Sequence, residues 1–163
     1  MSLRDTLQLL QDLPLSQAIT GSPIIFPWIE SVHVLAITFV VGSIAMLDLR
    51  LLGLSFFGDP IARMTREIVP WTLGAFGVAA VTGSLLFISN ALRYWDNGYF
   101  RAKLLLLLLA GLNMLVFHFG AGRRLVNLPA AAAVPAAARL SGGLSLGFWL
   151  VIVFLGRWVG FTL

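Results

Sequence analysis

Four ionisable side chains interrupt one of the most apolar stretches of the chain, "PWIESVHVLAITFVVGSIAMLDLRLLG" at residues 27–53: Glu30, His33, Asp48 and Arg50. An imidazole three residues after a carboxylate lies on the same helix face, where such a pair can bind a metal ion, a haem or a quinone. A charged group inside a membrane span costs about 2.5–3.5 kcal/mol on insertion scales, so it usually faces other helices and finds a partner there. These residues are the first candidates for chemistry.

The composition places them in a membrane. The chain has 163 residues, of which 59% are hydrophobic and 11% charged, and its mean hydropathy of +0.94 lies far outside the range of a soluble domain. The apolar runs are unbroken and rich in Leu and Ala, which predicts helices rather than the alternating strands of a membrane barrel. We therefore expect an all-α fold, an integral membrane four-helix bundle, with spans at 26–52, 68–92, 102–122 and 141–162.

The N-terminal segment, residues 1–22, is expected to lie outside the membrane domain of residues 23–163. Leu3, Leu7 and Leu10 recur at helical spacing among polar residues, which predicts a short amphipathic helix on the membrane interface. Pro14 limits the length of this helix. The segment contains acidic residues and no long apolar core, so it is not a signal peptide.

Several classes of function are excluded. The chain has no cysteine, which removes disulfides and thiolate metal sites. It has no Ser/His/Asp set, no HExxH motif and no Gly-rich phosphate loop, so no catalytic residue is assigned and no catalysis by the chain alone is expected. The net charge of +4 comes mainly from arginines beside the apolar runs, where topology and lipid headgroups account for it, and no nucleic-acid partner is expected.

Helical geometry divides the polar residues between two depths. At a rise of about 1.5 Å per residue, Glu30 and His33 lie near one end of the first span and Asp48 near the other. The fourth span runs in the opposite direction, which brings Arg157 to the height of Glu30. We expect an ion pair between these two side chains.

The third span is parallel to the first, which makes His118 a candidate partner for Asp48 at the second depth. Asn113 lies between the two depths and is expected to bond to a neighbouring helix. Arg50 is expected to extend toward the lipid headgroups. On a purely structural reading, all these polar groups hold the helices together.

Histidines in two spans favour a b-type haem, which imidazoles from facing helices would ligate. However, His33 and His118 differ in depth by roughly 20 Å, so one protomer cannot supply both ligands to a single haem. A haem then needs a ligand from another chain, and Met114, one turn before His118, is a further soft ligand.

A quinone site needs less, namely one imidazole and one carboxylate near the interface. His33 and Glu30 supply these, with Trp28 to pack on the ring. The same residues also allow metal binding: Glu30 with His33 suits a divalent ion, and His118 with Met114 suits copper.

The stretches "PWIESVHVLAI…DLRLLG", "VPWTLGAFGVAAVTGSLLF", "FRAKLLLLL" and "NMLVFHFG" carry a resemblance over most of residues 24–124. In these the chain resembles a family of small four-span bacterial inner-membrane proteins of unknown function, and is more distantly similar to the membrane domain of copper-resistance proteins. The resemblance implies a helical bundle and a bacterial source, and it supplies no activity. The residues that match the family pattern are Glu30, His33, Asp48, Arg50, Lys103, Asn113 and His118.

We therefore expect a subunit of a bacterial inner-membrane complex that is redox-linked through haem b or a quinone and contacts lipid and other subunits or further copies of itself. The alternatives are a structural scaffold and a permease for copper, another metal or a small solute. Lys and Arg favour the loops after the first and third spans by six against five, which predicts that both termini are periplasmic.

Overall fold

The computed structural model describes residues 2–54, 61–120, 122 and 133–163. All secondary structure within these ranges is helical. The helices are α1 (Leu3–Gln11), α2 (Pro14–Gly21), α3 (Ile25–Leu51), α4 (Ile61–Ser89), α5 (Ala91–Asp96), α6 (Gly98–Phe119) and α7 (Ala136–Thr162).

Four of these helices, α3, α4, α6 and α7, are long and apolar enough to cross a membrane. Their large apolar side chains point outward, as Leu35, Trp71 and Leu108 do, because hydrocarbon chains rather than water surround a membrane bundle. The all-α, four-helix membrane fold expected from composition is confirmed.

The ends of the spanning helices differ from the predicted spans by up to seven residues, for local reasons. The Asn97 side chain accepts hydrogen bonds from the backbone N–H groups of Tyr99 and Phe100, so α6 begins earlier than its apolar run. Pro135 precedes the first turn of α7, and the Ala-rich residues 136–139, which lie ahead of the predicted fourth span, are helical because alanine has the highest helix propensity. Residues 123–132, which lie between the third and fourth predicted spans, are outside the described residues.

The N-terminal segment contains two helices rather than one. Pro14 occupies the first turn of α2. Backbone N–H groups in a first turn have no partner within the helix, so proline costs no hydrogen bond there, and Pro14 begins α2 as well as limiting α1. Ser2 and Asp5 form a reciprocal cap on α1, in which each side chain accepts a hydrogen bond from the other residue's backbone N–H. The Ser2 backbone and hydroxyl bonds hold the pKa of Asp5 below its ordinary value.

The bundle runs up, down, up and down. α3 packs against α4 and α7, and α7 packs against α6. The fourth side of the bundle, between α4 and α6, is not closely packed along the described residues; these helices meet at the stacked rings of Phe87 and Phe100. The bundle thus has one open side facing the lipid.

The N-terminal side of the bundle, defined as the end at which α3 begins, carries α1, α2 and α5. Leu7 of α1 and Ile19 of α2 are buried, and the Ser16 hydroxyl donates a 2.8 Å hydrogen bond to the carbonyl of Ile88 at the end of α4. Arg4 and Asp96 join α1 to α5 at 3.0 Å. The short helices form a layer over one end of the bundle.

Candidate functional site

His33 of α3 points into the bundle near its N-terminal side and is fixed there by α4. Its Nδ1 lies 2.9 Å from the hydroxyl oxygen of Thr82, and this hydroxyl is 2.7 Å from the carbonyl oxygen of Val78. A threonine hydroxyl has a single proton, which the carbonyl accepts, so the hydroxyl accepts from His33. This assigns the Nδ1–H tautomer and leaves Nε2 with a lone pair toward the bundle.

Lys103 of α6 brings an ammonium group to the same depth. Its side chain is half-buried, and its charge acts on His33. The Nζ atom lies 3.7 Å from the point that a Cβ on Gly156 of α7 would occupy. No hydrogen bond or ion pair joins Lys103 to another residue within the described ranges.

Two glycines make room for these side chains. A Cβ on Gly83 of α4 would lie 2.9 Å from Cε1 of His33, closer than real Cβ contacts allow, so only glycine admits the imidazole in this position. Gly156 likewise leaves the space that the end of Lys103 occupies. The two basic side chains thus reach the interior because the facing helices have glycine at the points of closest approach.

An aromatic cluster covers this region about one helical turn nearer the N-terminal side. The rings of Phe87 (α4) and Phe100 (α6) stack with centroids 5.4 Å apart, and Tyr94 of α5 packs at a tilt against both, at 6.2 and 5.3 Å. Burial, and secondly the carboxylate of Glu30, raise the pKa of Tyr94 above its ordinary value. We call His33, Lys103 and Thr82, with the aromatic cluster beside them, the His33–Lys103 site.

Glu30 does not form the expected ion pair with Arg157. In the structure both side chains are exposed, and the Arg157 guanidinium lies 4.3 Å from the ring centroid of Phe161. The reason is rotational: Gly156 faces Lys103 across the bundle, so the next residue, about 100° further around α7, faces outward. Matching heights along two helices does not fix which face of the helix points inward.

Asp48 lies near the other end of α3 and is buried, but its expected partner is elsewhere. His118 is exposed and packs edge-on against Phe119 at 5.4 Å. At this end of α6 the side chain that points into the bundle is Asn113. His118 comes five residues later, which places it about 140° around the helix from Asn113. The polar group that faces the Asp48 carboxyl is the Ser145 hydroxyl of α7.

Asn113 does reach a neighbouring helix. Its amide nitrogen donates to the carbonyl of Ser141 at 3.0 Å, and the Ser141 hydroxyl donates back to the amide oxygen at 3.1 Å. On the other side of α3, Thr72 donates to the Ser43 hydroxyl at 2.7 Å. Such pairs hold helices together in an apolar medium.

The structure does not assemble the other expected cofactor ligands. Trp28 and Met114 are exposed, as is His118, and only Glu30 and His33 of the expected set lie in one neighbourhood. Arg50 is half-buried. Within the described residues no three His, Cys, Asp or Glu side chains lie close enough together to hold a metal ion.

Sequence reasoning missed Thr82, the aromatic cluster and the role of Lys103, which entered only through the resemblance. One signal was present in the sequence: of eleven basic residues, Lys103 is the single lysine. Lysine differs from arginine in being able to lose its proton when buried. A lone lysine inside an apolar run, in a chain that otherwise uses arginine, is therefore a candidate for a position inside the bundle.

Fold and site define an integral membrane protein whose bundle encloses a small cluster of basic groups. Residues 18–162 match the model of a family of unknown function, DUF6644. The chain belongs to this family. No curated protein and no solved structure matches it.

Proposed function

We propose that the protein is a redox-linked membrane subunit that binds a quinone or quinol headgroup at the His33–Lys103 site. One observation carries the proposal: an imidazole whose Nδ1 is held by Thr82 and an ammonium whose charge acts on it come from different helices inside an apolar bundle. A headgroup oxygen can accept from the ammonium, and a quinol hydroxyl can donate to Nε2. The pair therefore suits either redox form of the ligand.

The surroundings favour a flat ring that arrives from the lipid. The loosely packed side between α4 and α6 opens this depth of the bundle to the hydrocarbon, where quinones dissolve. Phe87, Tyr94 and Phe100 offer aromatic faces and edges on which such a ring can pack. Gly83 and Gly156 admit the two basic side chains to the depth at which the ring would bind.

The chain's own contribution is binding and proton handling. Thr82 fixes the imidazole ring, so Nε2 keeps one direction, and Lys103 places positive charge where a reduced headgroup carries negative charge. A bound quinone supplies the electron transfer itself. A subunit with one quinone site needs an electron donor and an electron acceptor, so we infer that it has partner subunits. We infer further that the complex lies in a bacterial inner membrane and that both termini of this chain are periplasmic.

Titration of the protein in nanodiscs with decylubiquinone, followed by quenching of the five tryptophans, tests this. Saturable quenching is expected, and we expect Lys103→Met and His33→Ala to weaken it about tenfold or more, because each removes a hydrogen bond that involves a charged or proton-accepting group. His118→Ala removes an exposed imidazole and is the matched control, which should bind as the wild type does.

Other outcomes identify the alternatives. A Soret band that is lost in His33→Ala and kept in His118→Ala would replace the quinone with haem b, for which the fixed imidazole is an equally good axial ligand. Quenching that is linear in quinone and unchanged in Lys103→Met would mean partition into lipid only, and would leave the structural scaffold. Metal retained through purification would favour the permease.

A further inference from the structure

Asp48 is the most isolated acid in the described part of the chain. Its side chain is 5% exposed, and Oδ2 is buried with no hydrogen-bond partner. It lies 15 residues along α3 from His33, about 22 Å at helical rise, at the opposite end of the bundle. The quinone proposal gives it no role.

Within the described part of the chain, the helices packed around Asp48 bring it one polar group. On α7 the Ser145 hydroxyl faces the carboxyl, and Gly142 packs so closely that a Cβ there would lie 3.2 Å from the Asp48 carbonyl oxygen and 2.9 Å from Cβ of Leu51. On α4 the nearest polar pair, Thr72 with Ser43, is satisfied internally.

The charged and titratable groups that the structure describes at this end do not pair with Asp48. No ion pair joins it to any described residue, and burial and Ser145 are the influences that act on its carboxyl. These described groups are Arg50 on α3, Arg63, Arg66 and Glu67 on α4, His118 on α6 and Arg139 on α7.

A carboxylate anion in this position would be a buried charge without a counter-charge, which is strongly disfavoured in an apolar interior. A hard metal cation does not suit this position, because such ions take about six to eight oxygen ligands and Asp48 with Ser145 supplies only a few oxygens. A proton binds to a single carboxyl oxygen and would remove the negative charge.

We propose that Asp48 is an intramembrane proton-binding site, with the proton carried by the carboxyl oxygen that has no partner and Ser145 facing the same group. The site lies at the end of the bundle remote from the His33–Lys103 site and operates without any cofactor. It provides a group inside the hydrocarbon that can take up and give up a proton.

Infrared spectroscopy of protein with carbon-13-labelled aspartate side chains, reconstituted in lipid without quinone, tests the proposal. The spectrum of the wild type minus that of Asp48→Asn isolates this one carboxyl, and asparagine has nearly the shape of the neutral acid. At neutral pH we expect the carbonyl band of a protonated carboxyl, shifted by exchange into heavy water and lost reversibly at high pH. Carboxylate bands alone at neutral pH would overturn the proposal.

Ser145→Ala is expected to move this band to higher frequency, because the acid loses the polar hydroxyl that faces it. Ser84→Ala is the matched control: the Ser84 hydroxyl is exposed and donates to the Ala80 carbonyl of its own helix, so the band should not move. If Asp48→Asn does not fold, the heavy-water shift and the Ser145→Ala shift in otherwise native protein decide the question. His33→Ala should leave the band unchanged, which separates this site from the quinone site.

Discussion

His33 shows how a neighbouring side chain fixes the orientation of a single residue. The Thr82 hydroxyl gives its proton to its own helix and accepts from the imidazole, which fixes both the tautomer and the direction of the ring. An exposed imidazole such as that of His118 lacks this constraint. The two histidines look alike in sequence and differ completely in what surrounds them.

Thr82→Val keeps the shape of the side chain and removes the oxygen that holds His33. We expect the Nδ1–H preference to disappear, which nitrogen-15 NMR of labelled histidine reports directly, and quinone affinity to fall several-fold. The change in stability should be about 1–3 kcal/mol, because a buried imidazole N–H loses its partner. Thr38→Val, an exposed threonine bonded to its own helix, is the control, and an unchanged tautomer in Thr82→Val would contradict the assignment.

Tyr94 is the residue whose pH dependence the structure predicts. Burial first and Glu30 second raise its pKa, so the folded protein holds the phenolic proton more tightly than the unfolded chain does. The resulting stability is complete below the ordinary tyrosine pKa of about 10 and is lost as pH rises through the higher pKa of the folded state.

The chain has two tyrosines, so in a Tyr99→Phe background the tyrosinate absorbance reports Tyr94 alone. Its midpoint should lie above that of a free tyrosine, and adding Glu30→Gln should lower it. A midpoint at the ordinary value would show that the phenol is not enclosed by the aromatic cluster.

At the scale of helices, sequence patterns predicted much of what the structure has. The depth arithmetic separated His33 and His118 correctly, because rise per residue is constant along a helix. It could not predict that Arg157 points outward or that Ser145 faces Asp48. The rotation of each helix about its axis depends on contacts between segments that are distant in sequence. Pro14 shows a second limit: the same residue ends one helix and begins the next.

The contact of α3 with α7 depends on Gly142. Alanine there would place a Cβ 2.9 Å from Leu51 Cβ and 3.2 Å from a backbone oxygen, neither of which can move alone. We expect Gly142→Ala to destabilise the protein by about 1–3 kcal/mol through overpacking, measured as a lower melting temperature in detergent. Gly147→Ala on the same helix meets nothing within 4 Å and should be neutral or slightly stabilising.

α1 is attached to the bundle by its apolar face more than by its charges. Leu7 is buried, whereas Arg4 and Asp96 pair at an exposed position and should contribute less than about 1 kcal/mol. Leu7→Ala is therefore expected to speed hydrogen exchange in α1, and Arg4→Ala to change it little. The reverse order would mean that the ion pair anchors the helix.

For the whole molecule, the alternating direction of the spanning helices places both termini on one side. Asn97 at the start of α6 donates to Thr162 at the end of α7, and α1 packs on α5, so the N-terminal side also carries the C-terminus. The sequence predicted this arrangement from four apolar runs. It could not reveal the open side between α4 and α6, because the sequence does not show which pairs of helices pack closely and which do not.

The absence of cysteine makes the orientation straightforward to measure. A membrane-impermeant thiol reagent applied to intact cells should label Ser2→Cys and Leu163→Cys and spare Arg66→Cys, if the positive-inside rule holds for this chain. Labelling of Arg66→Cys alone would show that the orientation is the reverse of the predicted one. Labelling of only one terminus would contradict the fold itself.

The single lysine has a practical consequence. Apart from the N-terminus, Lys103 is the only amine in the chain, and its nitrogen lies among the helices rather than at the surface. Reductive methylation with isotope-labelled formaldehyde would therefore attach one NMR-visible reporter inside the bundle. That signal would follow occupancy of the interior in real time, without any change to the amino-acid sequence.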